Sequence, residues 1–481
     1  MGQKAFPALP QLAIKASSLS RGQADALADE AAHGLARRMP SLSAHRVITR
    51  PQIAVFTLAA ATAIAFALLW PAAVWTALIG LTSLAFLAGT LFRAGLAFLG
   101  GVPVVDEARD ETDLPLYTIL VPLYREANVL PRLARALLIL DYPRDRLDIK
   151  LIVEEDDAET TAVADSLAAR GPFEIIRVPD GKPRTKPRAC NYALNFAAGE
   201  FTVIFDAEDR PEPDQLKKAV AAFRSRAPDI ACLQARLNFY NADENWLTRL
   251  FAIDYALWFD VLLPGLDRIG VPMPLGGTSN HFRTEVLREL GGWDPFNVTE
   301  DADLGIRIAQ LGKRVAMLDS TTFEEAPNRL DVWLKQRSRW LKGYMQTWLV
   351  HTRQPFALVR RAGLGGFLAF HLFIGGCIAS SLANPVLLFL SVLSITAERP
   401  AGGGGTVLAL SSLAGGYTIL TVLAALGPLK RGWSDLVPYG LTVTVYWGLI
   451  SVAAWRGLVQ LVTNPFHWEK TAHGLSRLGQ D

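Results

Sequence analysis

Cysteine is scarce in this chain of 481 residues, and the best-known nucleotide-binding motifs are missing. The three cysteines, Cys190, Cys232 and Cys377, lie far apart, so they form neither a disulfide framework nor the paired spacing of a zinc site. No P-loop lysine motif and no Gly-x-Gly-x-x-Gly fingerprint occurs, which argues against an ATPase and against a dehydrogenase. The formal net charge is only +2, and no nucleic-acid partner is expected.

Charge is almost absent from two long stretches of the chain. Arg93 is the only charged residue between positions 51 and 101, and Glu398 and Arg399 are the only ones between positions 362 and 428. About 20 consecutive apolar residues are enough to cross a bilayer as a helix. The sequence therefore predicts an integral membrane protein. Its charged middle, residues 102–361, is long enough for one large domain.

The apolar stretches predict a total of five or six membrane spans. We expect two spans over residues 51–101, joined by a tight hairpin at Pro71. Residues 362–481 are expected to form three or four spans and a short tail. The number depends on Asn384-Pro385, because a break there would divide one long kinked span into two short ones. A total of five spans and a total of six spans are both consistent with the sequence.

The segment before the first span, residues 1–50, contains seven basic and three acidic residues. This excess of positive charge predicts a cytoplasmic leader. Ser20 and Gln23 fit a capping box at the start of an amphipathic helix over residues 21–38. We interpret that helix as solvated or lying on the membrane surface.

Strands and helices alternate in the central domain. Apolar, β-rich runs predict strands at residues 117–122, 149–153, 173–178 and 201–205, with helices between them. This alternation is typical of an α/β domain with a mostly parallel sheet and crossover helices. In such sheets, ligands bind at the edge formed by the carboxyl ends of the strands.

The predicted strand at residues 201–205 runs directly into three carboxylates, Asp206, Glu208 and Asp209. Carboxylates crowded at a strand end repel one another unless a cation lies among them. Hard oxygen ligands in this number suit Mg²⁺ or Mn²⁺ that also holds a substrate phosphate. The alternative interpretation is a solvated acidic turn before the next helix.

A second acidic strand end, Glu154-Glu-Asp-Asp157, is followed by a basic loop from Gly181 to Arg188. Both are predicted to lie at the same edge of the sheet. Carboxylates there would hold a metal ion and a ribose, and Lys182 or Lys186 would meet phosphate. This arrangement predicts a nucleoside diphosphate as the ligand.

Further stretches of the domain carry candidate functional groups. Residues 246–263 are rich in aromatic and aliphatic side chains but too charged to span, which predicts an interfacial helix. Residues 276–282 form a small-residue loop with many hydrogen-bonding groups. Thr-Glu-Asp at 299–301 precedes a predicted helix, and Gln-Arg-Ser-Arg-Trp at 336–340 lies within another.

Four of these motifs follow one another in a single α/β domain between apolar blocks: Val-Pro-Leu-Tyr-Arg-Glu at 121–126, the acidic strand end, Thr-Glu-Asp and Gln-x-x-Arg-Trp. Over residues 114–350 the chain resembles the membrane-bound family 2 glycosyltransferases of bacteria, the group of cellulose, chitin and hyaluronan synthases. The resemblance implies a GT-A-like α/β nucleotide-sugar-binding domain with a mostly parallel sheet, inserted between transmembrane helices. It also implies a cytoplasmic catalytic domain at the inner membrane, and it favours six spans.

The resemblance also implies roles for individual residues. The nucleotide donor would be bound by Tyr124, Glu126, Glu155, Asp157, Lys186, Asp206, Gln336 and Arg339. The metal ion would be bound by Asp206, Glu208 and Asp209. The catalytic carboxylates would be Asp301, as the base, and Glu300, and the acceptor would contact Trp340, Thr278 and Ser279.

These residue types match the chemistry of glycosyl transfer. One base and no carboxylate nucleophile predict inversion at the anomeric carbon. The leading hypothesis is a synthase that extends a β-linked polysaccharide from a nucleoside diphosphate sugar, for which a UDP-sugar is expected. The alternative is a glycolipid synthase that adds one sugar to a membrane lipid such as diacylglycerol. An alternative of another class is a non-catalytic membrane scaffold or transporter, and the intact motif residues count against it.

Overall fold

The computed structural model describes residues 16–100, 113–396, 404–470, 474 and 476. The first fifteen residues of the predicted leader, the predicted domain boundary at 101–102 and most of the predicted tail lie outside the described residues. The strands are β1 (Tyr117–Leu123), β2 (Leu147–Glu154), β3 (Phe173–Val178), β4 (Phe201–Ile204), β5 (Arg210–Pro211), β6 (Ile230–Phe239), β7 (Asn280–Arg283) and β8 (Arg314–Glu324).

The helices before the last strand are α1 (Arg21–Arg38), α2 (Arg50–Leu69), α3 (Pro71–Leu99), α4 (Leu130–Leu138), α5 (Ala158–Ala168), α6 (Lys186–Leu194), α7 (Gln215–Ser225), α8 (Trp246–Leu257), α9 (Leu263–Ile269), α10 (Thr284–Glu289) and α11 (Glu300–Gln310). Those after it are α12 (Leu330–His351), α13 (Pro355–Phe370), α14 (Gly376–Thr396), α15 (Gly404–Lys430) and α16 (Val443–Thr463). A π-helical turn, Trp258–Leu262, joins α8 to α9.

The sheet is mixed, with the strand order β3-β2-β1-β4-β7-β6-β8-β5. The four strands predicted from the sequence are present, and they pair in parallel as expected. However, β7 is antiparallel to both β4 and β6, and β5 is antiparallel to β8, so the sheet is mixed although β6 and β8 pair in parallel. The reason is that the chain enters β7 at the edge where β4 ends, pairing Asn280 with Ile204. This brings the loop before β7 to the same edge as the acidic strand end.

Helices cover both faces of the sheet because strand residues alternate between two apolar cores. Ile119 and Val121 of β1 pack in the core that contains α4 and α7. Leu120 between them packs in the larger core, which contains α6, α8 and α9. The larger core continues into residues of α13 and α16, so the core of the central domain and the apolar helices are packed together.

Helix α1 packs against the central domain. The Ser20–Gln23 capping box starts it as predicted. Ala31 and Leu35 are buried, and the Asn191 side chain on α6 donates a hydrogen bond to the Ala31 carbonyl at 3.1 Å. The interpretation of this helix as solvated or lying on a membrane is therefore wrong, since small residues on one face let it pack closely on α6.

Five helical segments within the described residues are long and apolar enough to cross a membrane: Arg50–Leu69, Pro71–Leu99, Pro355–Val386, Val407–Lys430 and Ser434–Thr463. The predicted hairpin between the first two is confirmed, because Pro71 starts α3 directly after Trp70 ends α2. Helix α14 runs without interruption through Pro385, so Asn384-Pro385 does not divide it.

Helix α16 packs along α12 from its beginning to its end. The Arg337 guanidinium on α12 donates to the Tyr446 hydroxyl at 2.8 Å near the start of α16. At the other end, Lys342 donates to the carbonyls of Asn464 and His467 at 3.2 and 2.9 Å. The side of α16 away from α12 exposes apolar residues such as Val459. Both ends of α16 therefore lie at the central domain, which is expected of a helix lying in the membrane surface.

This packing predicts an even number of crossings, four, formed by α2, α3, the α13–α14 segment and α15. The C-terminus should then lie on the same side of the membrane as the central domain. In sealed vesicles, an epitope after Asp481 and an epitope inserted at exposed Arg144 should become accessible to antibody together. If one epitope were accessible only in right-side-out vesicles and the other only in inside-out vesicles, this topology would be contradicted.

Candidate active site

A cavity of about 540 Å³ lies at the edge of the sheet where β1 and β4 end. Five elements bring polar side chains to it: Tyr124 follows β1, Lys186 starts α6, Asp206 follows β4, Asp301 is in the first turn of α11 and Gln336 is on α12. All five were predicted from the sequence as site residues. Their convergence on one cavity follows from the parallel pairing, which places the ends of β1 and β4 side by side.

The same cavity continues between the apolar helices. Arg93 of α3, Asn384 of α14, Tyr417 of α15 and Trp447 of α16 line this part of it. The rings of Tyr417 and Trp447 are stacked, with centroids 5.6 Å apart. One continuous space therefore joins the edge of the sheet to the helices that are apolar enough to span a membrane.

The acidic loop after β4 is held together by Asp209. Its carboxylate accepts the Asp206 N–H at 2.7 Å and the Thr278 hydroxyl. Asp209 is only 1% exposed, and its Oδ1 is buried without a hydrogen-bond partner among the described residues. Burial, together with Asp206 and Glu208, raises the pKa of Asp209 well above its ordinary value. Asp206 and Glu208 line the cavity, whereas Asp209 supports the loop behind them.

Lys186 pairs with the acidic loop from the opposite side. Its Nζ lies 2.5 Å from Asp206 Oδ1 and donates to the Gly277 carbonyl at 2.7 Å. Burial alone would lower the pKa of Lys186, but the carboxylates of Asp206 and Glu300 raise it. Lys186 is therefore a permanent positive charge in the cavity. Of the two lysines predicted to meet phosphate, Lys186 lines the cavity.

Two adjacent carboxylates begin α11. Burial and the neighbouring Asp301 raise the pKa of Glu300 to about 8. Burial also raises the pKa of Asp301, while the Ala302 N–H, at 2.7 Å from Asp301 Oδ1, Lys186 and Arg339 oppose the rise. Glu300 therefore holds its proton near neutral pH, while Lys186 and Arg339 favour the ionised form of Asp301, which is the form that can accept a proton.

Gln336 and Arg339 of α12 offer unused hydrogen-bonding atoms. Gln336 Oε1 and Arg339 Nε are buried without a partner among the described residues. The Arg339 guanidinium donates from Nη1 to the Val298 carbonyl at 3.1 Å and lies over the Trp468 ring at 4.5 Å. Because buried polar atoms are costly to leave unpaired, these groups favour a polar ligand in the cavity.

Trp340 belongs to an aromatic cluster in the wall of the same cavity. Its ring is stacked on that of Tyr255, with centroids 6.0 Å apart, and both side chains line the cavity. The Arg337 guanidinium lies 4.8 Å from the Trp340 ring and forms an ion pair with Asp254. The cluster orients the indole without filling the cavity, so one surface of Trp340 can meet a ligand.

The structure does not bring Glu155 or Asp157 to the cavity. Glu155 is exposed and forms an ion pair with Arg21 of α1 at 2.5 Å, and Asp157 caps α5. Glu154 lines the cavity instead, and burial raises its pKa to about 7. The reason is the length of β2: the strand continues through Glu154, and the chain then turns into α5.

Thr278 and Ser279 are also placed differently from the prediction that they contact the acceptor. Both are at most 1% exposed. Thr278 Oγ1 lies 3.1 Å from the Ile204 carbonyl oxygen and is hydrogen-bonded to Asp209, and Ser279 donates to Thr322 at 2.6 Å. They connect β4, β7 and β8, and the preceding glycines line the cavity. A Cβ on Gly277 would lie 3.3 Å from Asp301 Oδ2, so a glycine allows the loop to approach the carboxylate closely.

Glu324, Trp468 and Lys470 also line the cavity, and the sequence did not predict them as site residues. Glu324 lies at the end of β8, and burial together with the carboxylates of the acidic loop raises its pKa well above the ordinary value. Trp468 and Lys470 follow α16, and Lys470 Nζ lies 3.2 Å from Glu126 Oε1. The acidic end of β8 was a signal in the sequence, but only the packing of α16 on α12 brings Trp468 and Lys470 to the site.

The carboxylates of the acidic loop form only part of a possible cation site. Across the described ranges, no three His, Cys, Asp or Glu side chains form a group that could hold a metal ion by themselves. The predicted set of Asp206, Glu208 and Asp209 does not converge, because Asp209 faces its own loop. Burial is the main cause of the raised pKa values of Asp209 and Glu324, and neighbouring carboxylates raise both further. A divalent cation would offset this negative charge. Asp206 and Glu208 are the carboxylates placed to contact one.

Comparison with known proteins agrees with this geometry. Residues 115–343 match the model of the family described as Glycosyltransferase like family 2. The chain is 26% identical over 305 residues to the probable glycosyltransferase YdaM of Bacillus subtilis (strain 168), covering 62% of this chain and 72% of the relative. The solved structure of the mannosyltransferase PcManGT from Pyrobaculum calidifontis, in complex with GDP-Man and Mn²⁺, superposes with a TM-score of 0.51. It is 20% identical and covers 80% of this chain and 98% of that one, which shows a shared GT-A-like fold.

The family match spans the elements that build the cavity, from β1 to the middle of α12. It contains the acidic loop, the Thr-Glu-Asp carboxylates and the Gln-x-x-Arg-Trp motif. Residues 115–343 are thus a family 2 glycosyltransferase domain, and the protein is an enzyme that transfers a sugar from a nucleotide sugar.

Proposed function

We propose that this enzyme is an inverting membrane glycosyltransferase that extends a β-linked polysaccharide from a UDP-sugar. The observation that carries the proposal is the continuous cavity, which leads from Asp301 past Trp340 to Tyr417 and Trp447 between the apolar helices. A growing chain needs such a path, lined by polar groups and by aromatic rings that stack on sugars. This is the arrangement expected of the cellulose, chitin and hyaluronan synthase group.

The donor would lie between the end of β1 and α12. Tyr124 offers a ring to the base, and Glu126 offers a carboxylate to the ribose after releasing Lys470. Lys186 and Arg339 contribute positive charge for the diphosphate, and Gln336 contributes its unpaired amide oxygen to donor hydroxyl groups. As the bond to the sugar breaks, the developing charge on the diphosphate is stabilised by these fixed cations.

Asp301 would remove the proton from the attacking hydroxyl of the acceptor. Lys186 and Arg339 favour its ionised form, whereas Glu300 retains its proton near neutral pH. With one ionised carboxylate for the acceptor, direct attack on the anomeric carbon gives inversion, from an α-linked donor to a β-linked product. Glu300 keeps the local charge low enough for the anionic donor to bind.

Asp206 and Glu208 would hold Mg²⁺ or Mn²⁺ together with the donor diphosphate. Two protein carboxylates are few for a divalent cation, but Mg²⁺ typically takes its other ligands from substrate phosphates and water. The Mn²⁺ in the PcManGT complex supports a divalent cation in this fold. When bound, the cation neutralises charge on the leaving diphosphate.

The catalytic domain would lie in the cytoplasm of a bacterium, on the inner membrane. Nucleotide sugars are made in that compartment, and the excess of positive charge before α2 is typical of a cytoplasmic segment. Docking of α1 and of the segment after α16 on the catalytic domain supports a position for both on that side of the membrane. Four crossings follow, in contrast to the six favoured by the family resemblance.

The proposed role of Asp301 as the base can be tested by substitution. Asp301→Asn should lower transfer by about 10²- to 10⁴-fold, because the amide cannot accept the proton, while donor binding stays close to wild type. In the wild type, transfer should rise with pH through a pKa above the ordinary value of Asp, since burial raises the pKa of Asp301 and only the ionised form is active. Asp331→Asn, an exposed carboxylate outside the cavity, is the matched control and should have no effect. Wild-type turnover in Asp301→Asn would exclude this role.

The second prediction concerns the cation. EDTA should abolish transfer by the wild type, and Mg²⁺ or Mn²⁺ should restore it. Asp206→Asn should raise the metal concentration needed for half-maximal activity, whereas Asp209→Asn should mainly lower the melting temperature, because Asp209 supports the loop. Activity that persists in EDTA would show that neither carboxylate binds a metal ion, and that Asp209 only stabilises the loop and Asp206 only pairs with Lys186.

The third prediction separates a polysaccharide product from a glycolipid. Purified enzyme is incubated with a panel of radiolabelled UDP-sugars, with and without diacylglycerol. Polymer retained at the chromatographic origin is expected, and organic-phase product would favour the lipid acceptor.

Stacking on an aromatic ring is worth about 1–3 kcal/mol. Trp340→Ala should therefore reduce elongation about five- to hundredfold, with hydrolysis of the donor retained.

Trp340→Phe is the control, because it keeps an aromatic ring and should retain most elongation. Equal loss of elongation and of donor hydrolysis in Trp340→Ala would place Trp340 in the donor site or the folding core. Full transfer to diacylglycerol by Trp340→Ala would replace the polysaccharide proposal with the glycolipid one.

A further inference from the structure

A second cavity, of about 550 Å³, lies between the β6–β8 part of the sheet, α9 and the ends of α3 and α15. It shares no lining residue with the active-site cavity. The π turn separates the two, since Trp258 lines the active site and Asp260 lines the second cavity. Six basic side chains face three carboxylates there: Arg226, Arg236, Arg268, Arg314, Lys430 and Arg431 against Asp260, Asp267 and Asp319.

The carboxylates do not neutralise all of this charge. Asp260 forms a two-point ion pair with Arg431, at 2.6 and 3.0 Å, and Asp319 pairs with Arg236 at 2.6 Å. Asp267 lies 3.9 Å from Arg226, and Arg314 pairs with Asp229, which lies outside the lining. Among the described residues, the six cations thus meet four carboxylates, which leaves an excess of two positive charges.

Arg268 and Lys430 carry this excess. Arg268 is exposed on α9. Lys430 Nζ donates to the carbonyls of Gly100 and Asp260 at 2.9 and 3.0 Å. In the described part of the chain, no carboxylate forms an ion pair with either side chain. An anion in the cavity would therefore gain attraction from both without having to displace an existing ion pair.

The position of Lys430 locates the cavity relative to the membrane. It is the last residue of α15, and the carbonyl that it contacts belongs to Gly100, directly after α3. The ends of two apolar helices therefore meet at one level, on the side of the catalytic domain. Basic pockets between such helices are suited to the phosphate groups of anionic lipids. A guanidinium and an ammonium together match the oxygens of a phosphate diester.

We propose that this cavity binds the phosphate of an anionic phospholipid headgroup at the junction of the catalytic domain and the membrane. The recognised chemistry is a phosphate ester with a net negative charge. Phosphatidylglycerol carries that charge, whereas phosphatidylcholine has the same phosphate but no net charge. The site is independent of sugar transfer, so its test does not depend on the proposed function.

The test uses the full chain in a neutral detergent, with bound lipid counted by native mass spectrometry. Wild type should bind phosphatidylglycerol in clear preference to phosphatidylcholine. Arg268→Gln with Lys430→Gln should weaken phosphatidylglycerol binding by about fivefold for each charge removed, about 25-fold for the pair. Arg360→Gln with Arg361→Gln is the matched control, because it removes two exposed charges of α13 outside the cavity. The control should bind phosphatidylglycerol as the wild type does.

Soluble glycerol phosphate distinguishes a lipid from a free phosphate compound. It should displace phosphatidylglycerol only at a large excess, because it lacks the acyl chains that remain in the micelle. Displacement at equal concentration would assign the cavity to a soluble phosphate ester and overturn the lipid proposal. Unchanged phosphatidylglycerol binding in the double variant, or an equal loss in the control, would overturn the site. Unchanged melting temperatures of both variants exclude unfolding as the cause.

Discussion

The ion pair between Lys186 and Asp206 is the interaction around which the active site is arranged. It joins the start of α6 to the end of β4, at 2.5 Å, in a cavity that also contains several other carboxylates. Buried carboxylates of like charge are stable only if a cation, a proton or a hydrogen bond compensates each of them. Lys186 compensates Asp206, the Thr278 hydroxyl and a backbone N–H stabilise Asp209, and a proton neutralises Glu300.

A buried polar network keeps the two catalytic helices in register. Asp303 of α11 lies 2.9 Å from His351 of α12, and His351 in turn lies 2.7 Å from Gln310. Close packing adds to this, because a Cβ on Gly343 would lie 2.2 Å from Thr299 Oγ1. Helix α11 carries Glu300 and Asp301, and α12 carries the Gln-x-x-Arg-Trp motif. The proposed base and the groups proposed to bind the diphosphate are therefore fixed relative to each other by residues outside the cavity.

The segment after α16 connects the membrane part to the donor site. It is anchored by Lys342 and Gln346 of α12, which donate to its carbonyl groups. Trp468 then meets Arg339, and Lys470 meets Glu126. The wall of the active site is thus completed by a part of the chain that lies more than a hundred residues after the matched family 2 domain. Helix α12 lines the cavity between the edge of the sheet and the apolar helices, so one path leads from one to the other.

The sequence by itself determined the α/β class, the apolar blocks, the first four strands and ten of the residues that line the cavity. It could do so because periodicity and strand-end chemistry are local properties. Glu155, Asp157, Thr278 and Ser279 could not be assigned from sequence, because one turn of the chain decides whether a side chain faces a cavity or caps a helix. Tertiary structure alone decided the reversal of β7, the packing of α16 on α12 and the arrival of Trp468 and Lys470. Each of these depends on contacts between distant segments, and no local pattern records such contacts.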